Sequence, residues 1–219
     1  MLKIENLSHR FGKKTVLNDL NFSVASGEIV GVVGPNGSGK TTLLNILMRM
    51  IKPTAGSFTF SEHTTMGMSV SREGFFDDMS VRDNIKLLAN LKNGDDEKIH
   101  QVMKDFAVNF GDKLFGKLSA GMKQRVSLSI PFIDKDQLIL LDEPSNHLDV
   151  DSIITLRNLI LKRKSAGTAF LITSHIFSDL EKTTDRILFL KEGKLVHDAS
   201  TVDLLKKYDT LEDAYLNLL

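Results

Sequence analysis

The chain has 219 residues, is 42% hydrophobic and 26% charged, and carries a formal net charge of zero. That length accommodates one large domain or one domain with a sub-lobe, and the charge balance argues against nucleic-acid binding by broad phosphate neutralisation. There is no cysteine, which rules out a disulfide scaffold and a thiolate zinc site. No apolar run approaches the roughly 18 residues needed to cross a bilayer. The opening Met1-Leu2-Lys3-Ile4-Glu5-Asn6 begins a charged, alternating strand without a signal-peptide core. The expectation is a soluble, cytoplasmic chain.

Residues 2–7 and 16–24 alternate as strands, with a turn at Gly12-Lys13-Lys14. Ser26-Gly27-Glu28 leads into the continuous apolar run Ile29–Val33, a buried strand. Residues 42–50 place Leu43, Leu44, Ile46, Leu47 and Met50 at helical spacing, and Pro53-Thr54-Ala55-Gly56 stops that helix. Strands follow at 57–60 and 64–70. Helical periodicity then runs over 81–91 and 97–110, separated by Asn93-Gly94-Asp95-Asp96, with Asp95 or Asp96 as a cap. Ser119 reads as the N-cap of a third helix, in which Pro131 should force a kink or an early stop. Residues 137–141 form a buried strand, 153–161 a helix that leads to the basic Lys162-Arg163-Lys164 at a solvated end, and Ala169–Thr173 a strand. A hairpin of 186–190 and 195–197 turns at Glu192-Gly193, and the tail from 202 to 219 is helical. Strands alternating with helices indicate an α/β fold. The expected division is a core lobe of 1–71 and 134–219 and an inserted helical lobe of 72–133.

Two motifs carry the chemistry. Gly34-Pro35-Asn36-Gly37-Ser38-Gly39-Lys40-Thr41 satisfies G-x-x-x-x-G-K-[ST] between a strand and a helix. Its glycines let successive N–H groups turn toward phosphate oxygens, and the helix N-terminus adds positive potential. Lys40 is placed to reach the β- and γ-phosphates, and Thr41 to offer a hydroxyl to Mg²⁺. The second motif, Leu138-Ile139-Leu140-Leu141-Asp142-Glu143-Pro144, ends an apolar strand in two carboxylates, where α/β sheets bind ligands. Asp142 can hold Mg²⁺ through water, and Glu143 can polarise a water for in-line attack on the γ-phosphate.

Between them lies Leu118-Ser119-Ala120-Gly121-Met122-Lys123-Gln124-Arg125. In this order the three segments resemble the signature set of ABC-type ATPases, and the resemblance covers essentially the whole chain. Ser145-Asn146-His147-Leu148-Asp149 is similar to the family's D-loop, Thr173-Ser174-His175 to its switch histidine, and Phe11 stands where the family stacks adenine on an aromatic ring. The resemblance implies a P-loop NTPase core of the ABC type, with an N-terminal antiparallel β subdomain and an inserted α-helical subdomain. It implies an Mg²⁺-dependent ATPase with Glu143, His175 and Lys40 as catalytic groups. Nucleotide would be bound by Phe11, Asn36, Gly37, Ser38, Gly39, Lys40, Thr41 and Thr42, together with Ser119 and Gly121 of a second subunit in a head-to-tail dimer. Metal would be held at Thr41, Asp142 and Ser71.

Three residues depart from the family pattern. Ser71 stands at the position of the Q-loop glutamine, where a shorter hydroxyl reaches metal through water, with Glu73 the nearest carboxylate substitute. Ala120 replaces a signature glycine, and Pro131 interrupts the signature helix. The implied function is the ATPase subunit of a membrane transporter whose spanning permease subunits are separate chains, docked around 71–79 with Phe75 and Phe76 exposed. That would hold it on the cytoplasmic face of the membrane. Met122-Lys123-Gln124-Arg125 and Met79-Ser80-Val81-Arg82-Asp83-Asn84 look most like exporters of drugs or antimicrobial peptides. A soluble ABC protein of ribosomes or nucleic acid is the alternative, because its D-loop wording is similar. Such proteins carry two cassettes in one chain, and zero net charge disfavours it. Retention of Glu143 and His175 argues against a non-hydrolysing switch.

Overall fold

A computed structural model describes residues 1–90 and 95–219. Residues 91–94 lie outside it, and with them the end of the helix expected over 81–91 and the first half of the separator that follows. Strands β1 (Leu2–Phe11), β2 (Lys14–Val24) and β4 (Ala55–Phe60) form an antiparallel sheet in the order β2-β1-β4. A second sheet runs β5-β6-β7-β3-β8-β9. It is built from β3 (Ile29–Val33), β5 (Met66–Met68), β6 (Leu138–Asp142), β7 (Ala169–Thr173), β8 (Arg186–Lys191) and β9 (Lys194–Ser200). All its pairings are parallel except the β8–β9 hairpin.

Strand periodicity explains how the layers join. β3, β6, β7 and β8 are apolar on both faces and lie between two cores. Val30, Val32, Leu138, Leu140, Leu171 and Leu188 face the antiparallel sheet and helix α1 (Lys40–Leu47), meeting Leu7, Leu17, Leu20, Leu43 and Leu47. Their neighbours in sequence, Ile29, Val33, Ile139, Leu141, Phe170 and Phe189, face the remaining helices. Each fully buried Leu or Ile stabilises the fold by roughly 1.5–3 kcal/mol, so both faces of the central strands are anchored. The loops at their C-terminal ends inherit that fixed position.

The helical stretch comprises α2 (Val81–Asn90), α3 (Asp96–Asp105) and α4 (Ala120–Ser129). Asp95 caps α3 by accepting the Lys98 N–H at 2.8 Å. The helix expected to reach residue 110 stops at Asp105, because Ala107 adopts φ 50° and turns the chain, and Val108 and Phe110 enter the core outside any helix. α4 ends before Pro131 and passes into a 3₁₀ turn, Ile130–Phe132, as a proline at that point requires. α5 (Val150–Ser165) and α6 (Phe177–Glu181) follow β6 and β7. The basic end of α5 is less solvated than its sequence implies. Arg163 donates to the Phe132 carbonyl, and Lys164 pairs with Asp185. The tail is two helices rather than one, α7 (Thr201–Lys207) and α8 (Leu211–Leu218), each started by its own cap. Ser200 Oγ accepts from Asp203 N, and Thr210 Oγ1 from Asp213 N. Among the described residues no helix is long and apolar enough to cross a membrane.

Candidate nucleotide site

The phosphate loop runs from the end of β3 into α1. Gly39 caps α1 at φ 109°, a conformation open to glycine, and a Cβ there would lie 2.5 Å from the Leu17 side chain. The hairpin turn of β8–β9 braces the loop from beneath, with Gly193 N–H donating to Ser38 O and Asn18 N–H to Gly193 O. Lys40 is buried, and its ammonium donates to the carbonyls of Gly34 at 2.7 Å and Pro35 at 3.3 Å. The Ser38 hydroxyl is buried with no partner, and no acidic side chain occupies the first turn of α1. A buried, unspent hydroxyl beside a helix N-terminus and a fixed ammonium fits an anion of phosphate geometry.

A second cluster sits at the ends of β6 and β7. Thr173 Oγ1 donates to Asp142 Oδ1 at 2.5 Å and accepts the Glu143 N–H at 3.0 Å. Glu143 adopts φ 45°, a left-handed turn that carries its carboxylate toward β7. There Glu143 Oε2 meets His175 Nδ1 at 2.7 Å and the His175 N–H at 3.2 Å. With the imidazole proton on Nδ1, the ring donates to the carboxylate and leaves Nε2 as an acceptor. Asp142, Thr41 and Ser71 line one groove of about 900 Å³ between α1 and α4. Among the described residues no group of three or more His, Asp or Glu is arranged to hold a metal. The donors at this groove are instead a threonine hydroxyl and one carboxylate. That set suits Mg²⁺, which keeps most of its shell as water and phosphate oxygen.

The remaining predicted residues do not line that groove. Phe11 ends β1, is 54% exposed, and packs edge-on against His9 at 4.6 Å. Asn36 and Gly37 are exposed at the loop tip, and Thr42 is half-buried in α1. Ser119 caps α4, accepting from Met122 N at 3.3 Å, and is exposed. A Cβ on Gly121 would lie 2.6 Å from the His147 carbonyl oxygen, which accounts for glycine there. Asp149 caps α5, and the Ser152 hydroxyl and N–H hold its carboxyl below the ordinary value.

The family model described as "ABC transporter" matches residues 17–146. The lantibiotic transport ATP-binding protein SrtF of Streptococcus pyogenes is 33% identical over 97% of this chain and 93% of its own. The bacitracin transport ATP-binding protein BcrA of Enterococcus faecalis is 30% identical over 94% of this chain and 71% of its own. This chain belongs to the ABC transporter ATP-binding family. A solved ATP-binding subunit of an ABC transporter superposes with a TM-score of 0.90 at 21% identity, covering 100% of this chain and 99% of that one. A dimeric ATP-binding cassette in a post-hydrolysis state with ADP and Pi gives 0.83 at 22% identity, over 92% and 99%. The fold is that of an ABC ATPase, and the chain is an ATP-binding, ATP-hydrolysing subunit of that family.

Against the family pattern, Ser71 precedes a 3₁₀ turn, Arg72–Gly74, and its hydroxyl hydrogen-bonds the Glu73 carboxylate. That bond, after the one from the Glu73 backbone N–H, holds the carboxyl below its usual value. The expectation that Phe75 and Phe76 are both exposed is half wrong. Phe75 is buried, stacked on Phe115 at 4.5 Å, while Phe76 is 52% exposed. The Phe76 backbone is held by the buried Asn84, whose Oδ1 accepts the Phe76 N–H and whose amide donates to the Phe76 carbonyl. Sequence reasoning missed Thr173 as the partner of Asp142 and Glu143. It also missed Gln124, whose amide donates to the Pro144 carbonyl at 3.0 Å and ties the signature helix to the segment after Glu143. Both bonds join residues far apart in the chain, and no local pattern announces them.

Proposed function

We propose that this chain is the motor of a membrane exporter of antimicrobial peptides or related drugs, closing as a head-to-tail dimer on ATP. The observation that carries the chemistry is the Glu143–His175 contact at 2.7 Å, one residue beyond Asp142. In this reading Lys40 and the loop N–H groups from Asn36 to Thr42 hold the β- and γ-phosphates, and Phe11 stacks on the base. Glu143 takes a proton from the attacking water. His175 holds the Glu143 carboxylate in place and presents Nε2 to the γ-phosphate region. Thr41 and Asp142 would hold Mg²⁺, with Ser71 reaching it through water, and the ion would offset phosphate charge when bound. Ser119 and Gly121 of a second subunit complete each site. Residues 72–133 act as the lobe that carries them and contacts the permease.

The docking surface is the groove flanked by Phe76 and 71–79. The partners are separate membrane-spanning subunits, which place the chain on the cytoplasmic face of the membrane. The names of the relatives, transport ATP-binding proteins for a lantibiotic and for bacitracin, support the cargo class. Expected for Glu143→Gln is retained ATP binding with turnover reduced on the order of 10²-fold or more. The same variant should pass from monomer to dimer mass by light scattering when saturated with Mg-free ATP. Wild-type turnover would assign the base elsewhere. An unchanged monomer mass despite bound nucleotide would refute closure by nucleotide alone.

A further inference from the structure

The loop that follows Glu143 and the loop that carries His175 continue into helices that face each other. The loop 145–149 after Glu143 enters α5, and Ser174-His175-Ile176 enters α6. Between these helices lies a cavity of about 30 Å³, lined in part by Pro144, Ser145, Leu156, Ile172 and Ser174. Arg157 of α5 reaches across it to Asp179 of α6, donating from Nη2 to Oδ1 at 3.1 Å. Both side chains are about four-fifths buried, at 21% and 19% exposure. The second half of the pair is unspent, for Arg157 Nε and Asp179 Oδ2 are buried without any partner. A buried N–H and a buried carboxylate oxygen are costly when left unpaired. Both residues line the cavity, which has room for a water that needs two to four polar partners.

We propose that Arg157, Asp179 and one water in this cavity form a clamp that locks the loop 145–149 to the switch histidine. Asp179 lies about one helical turn beyond His175, and Arg157 about two turns beyond Asp149. A shift of either helix therefore moves His175 relative to Glu143. Thr183 reinforces the α6 side by donating to the Asp179 carbonyl at 2.6 Å, and Ser174 Oγ accepts the Ile176 N–H at 2.9 Å. Arg157 and Asp179 act through the Glu143–His175 contact and do not touch nucleotide, so both are positioning residues. The clamp rests on the reading of Glu143 and His175 as the hydrolytic pair.

The test measures kcat, KM for ATP and the thermal midpoint of Arg157→Met, Asp179→Leu and the double variant. Each single change should lower kcat on the order of tenfold, less than the 10²-fold that a 1 Å misplacement can cost, with KM within about twofold. The double variant replaces a buried ion pair by apolar groups of similar volume, which is often neutral for stability. It should melt near the wild type and keep the lowered kcat, whereas Asp179→Glu should retain kcat within about threefold. A double variant with wild-type kcat, or folded single variants with unchanged kcat, would show that the pair only fills space and would overturn the clamp. Asp179→Leu added to Glu143→Gln should lower turnover no further. A full additional tenfold loss there refutes the clamp alone, while wild-type turnover in Glu143→Gln refutes the hydrolytic reading beneath it. A crystal structure should show an ordered water bridging Arg157 Nε and Asp179 Oδ2, and a dry cavity would remove the water from the clamp.

Discussion

The two walls of the candidate nucleotide site are built on different principles. One wall is the row of strand ends at β3, β6 and β7, whose residues are buried on both faces and whose carboxylates are held by named donors. Thr173, which positions Asp142 and Glu143 together, is fully buried. The other wall is the segment 71–80 and the start of α4. There a short 3₁₀ turn, exposed Asp77 and Asp78, and stretched ion pairs such as Lys123–Asp77 at 3.7 Å and Arg72–Asp77 at 3.9 Å replace sheet packing. Surface pairs of that length contribute little. The first wall, hydrolytic in the proposed reading, is preorganised, as electrostatic catalysis requires. The opposite wall is fixed at a few anchor points, and its exposed side chains are the ones the proposed reading gives to a permease.

The largest expected effect tests where those anchor points lie. Phe75→Ala removes a ring stacked on Phe115 inside the core and should destabilise the chain by about 3–5 kcal/mol, read by denaturant unfolding. Phe76→Ala removes the adjacent, exposed ring and should change stability by less than ~0.5 kcal/mol. It should leave the ATPase of the isolated chain unaltered and weaken association with the membrane subunits. Equal destabilisation by both changes would mean that Phe76 is a core residue and that the wall offers no docking surface there.

The next effect concerns the rigid wall. Thr173→Val keeps the shape of the side chain and deletes the hydroxyl that donates to Asp142 and accepts from Glu143. A hydrogen bond to a charged group is worth about 1.5–3 kcal/mol, so kcat should fall roughly 10- to 10²-fold. Nucleotide affinity should change much less, since Thr173 lies beneath the carboxylates rather than in the phosphate loop. A fall in affinity with kcat intact would place Thr173 in binding instead.

What could be read from the sequence divides along the same line. The phosphate loop, the Asp142-Glu143 pair and the Ser119 cap are local in sequence, so their geometry follows from residue types a few positions apart. Strands buried on both faces are likewise legible, because a continuous apolar run has few other uses. The Thr173–Asp142, Gln124–Pro144 and Arg157–Asp179 contacts are set by how strands and helices stack, and no spacing encodes them. Helix ends failed where the stop signal was neither glycine nor proline. Ala107 takes a left-handed φ without advertising it, and α3 therefore ends five residues before the periodicity does. Phe75 and Phe76 look identical in sequence. They are told apart by tertiary contacts, the stacking of Phe75 on Phe115 and the Asn84 side chain that brackets the Phe76 backbone from α2.

The smallest expected effect is the most informative about the adaptable wall. Ser71 sits in extended chain at φ −63° and ψ 161°, makes no capping bond to the 3₁₀ turn, and lines the groove with Thr41 and Asp142. Its backbone accepts any L-residue, so Ser71→Gln introduces no strain. The longer amide extends into open groove, where it can meet metal directly in place of a water. The cost is the Ser71–Glu73 hydrogen bond. Glu73 is fully solvent-exposed, and water replaces that partner readily. Loss of the bond raises the Glu73 pKa back toward its ordinary value. Glu73 remains ionised well above that value, so the change should be silent at neutral pH. We therefore expect kcat within about threefold of wild type and half-maximal activity at lower Mg²⁺, measured by titrating the metal at saturating ATP. If Ser71→Gln instead abolishes hydrolysis while leaving the melting temperature unchanged, the segment 71–74 is tuned to a short side chain. The adaptable wall would then be as tightly specified for chemistry as the rigid one.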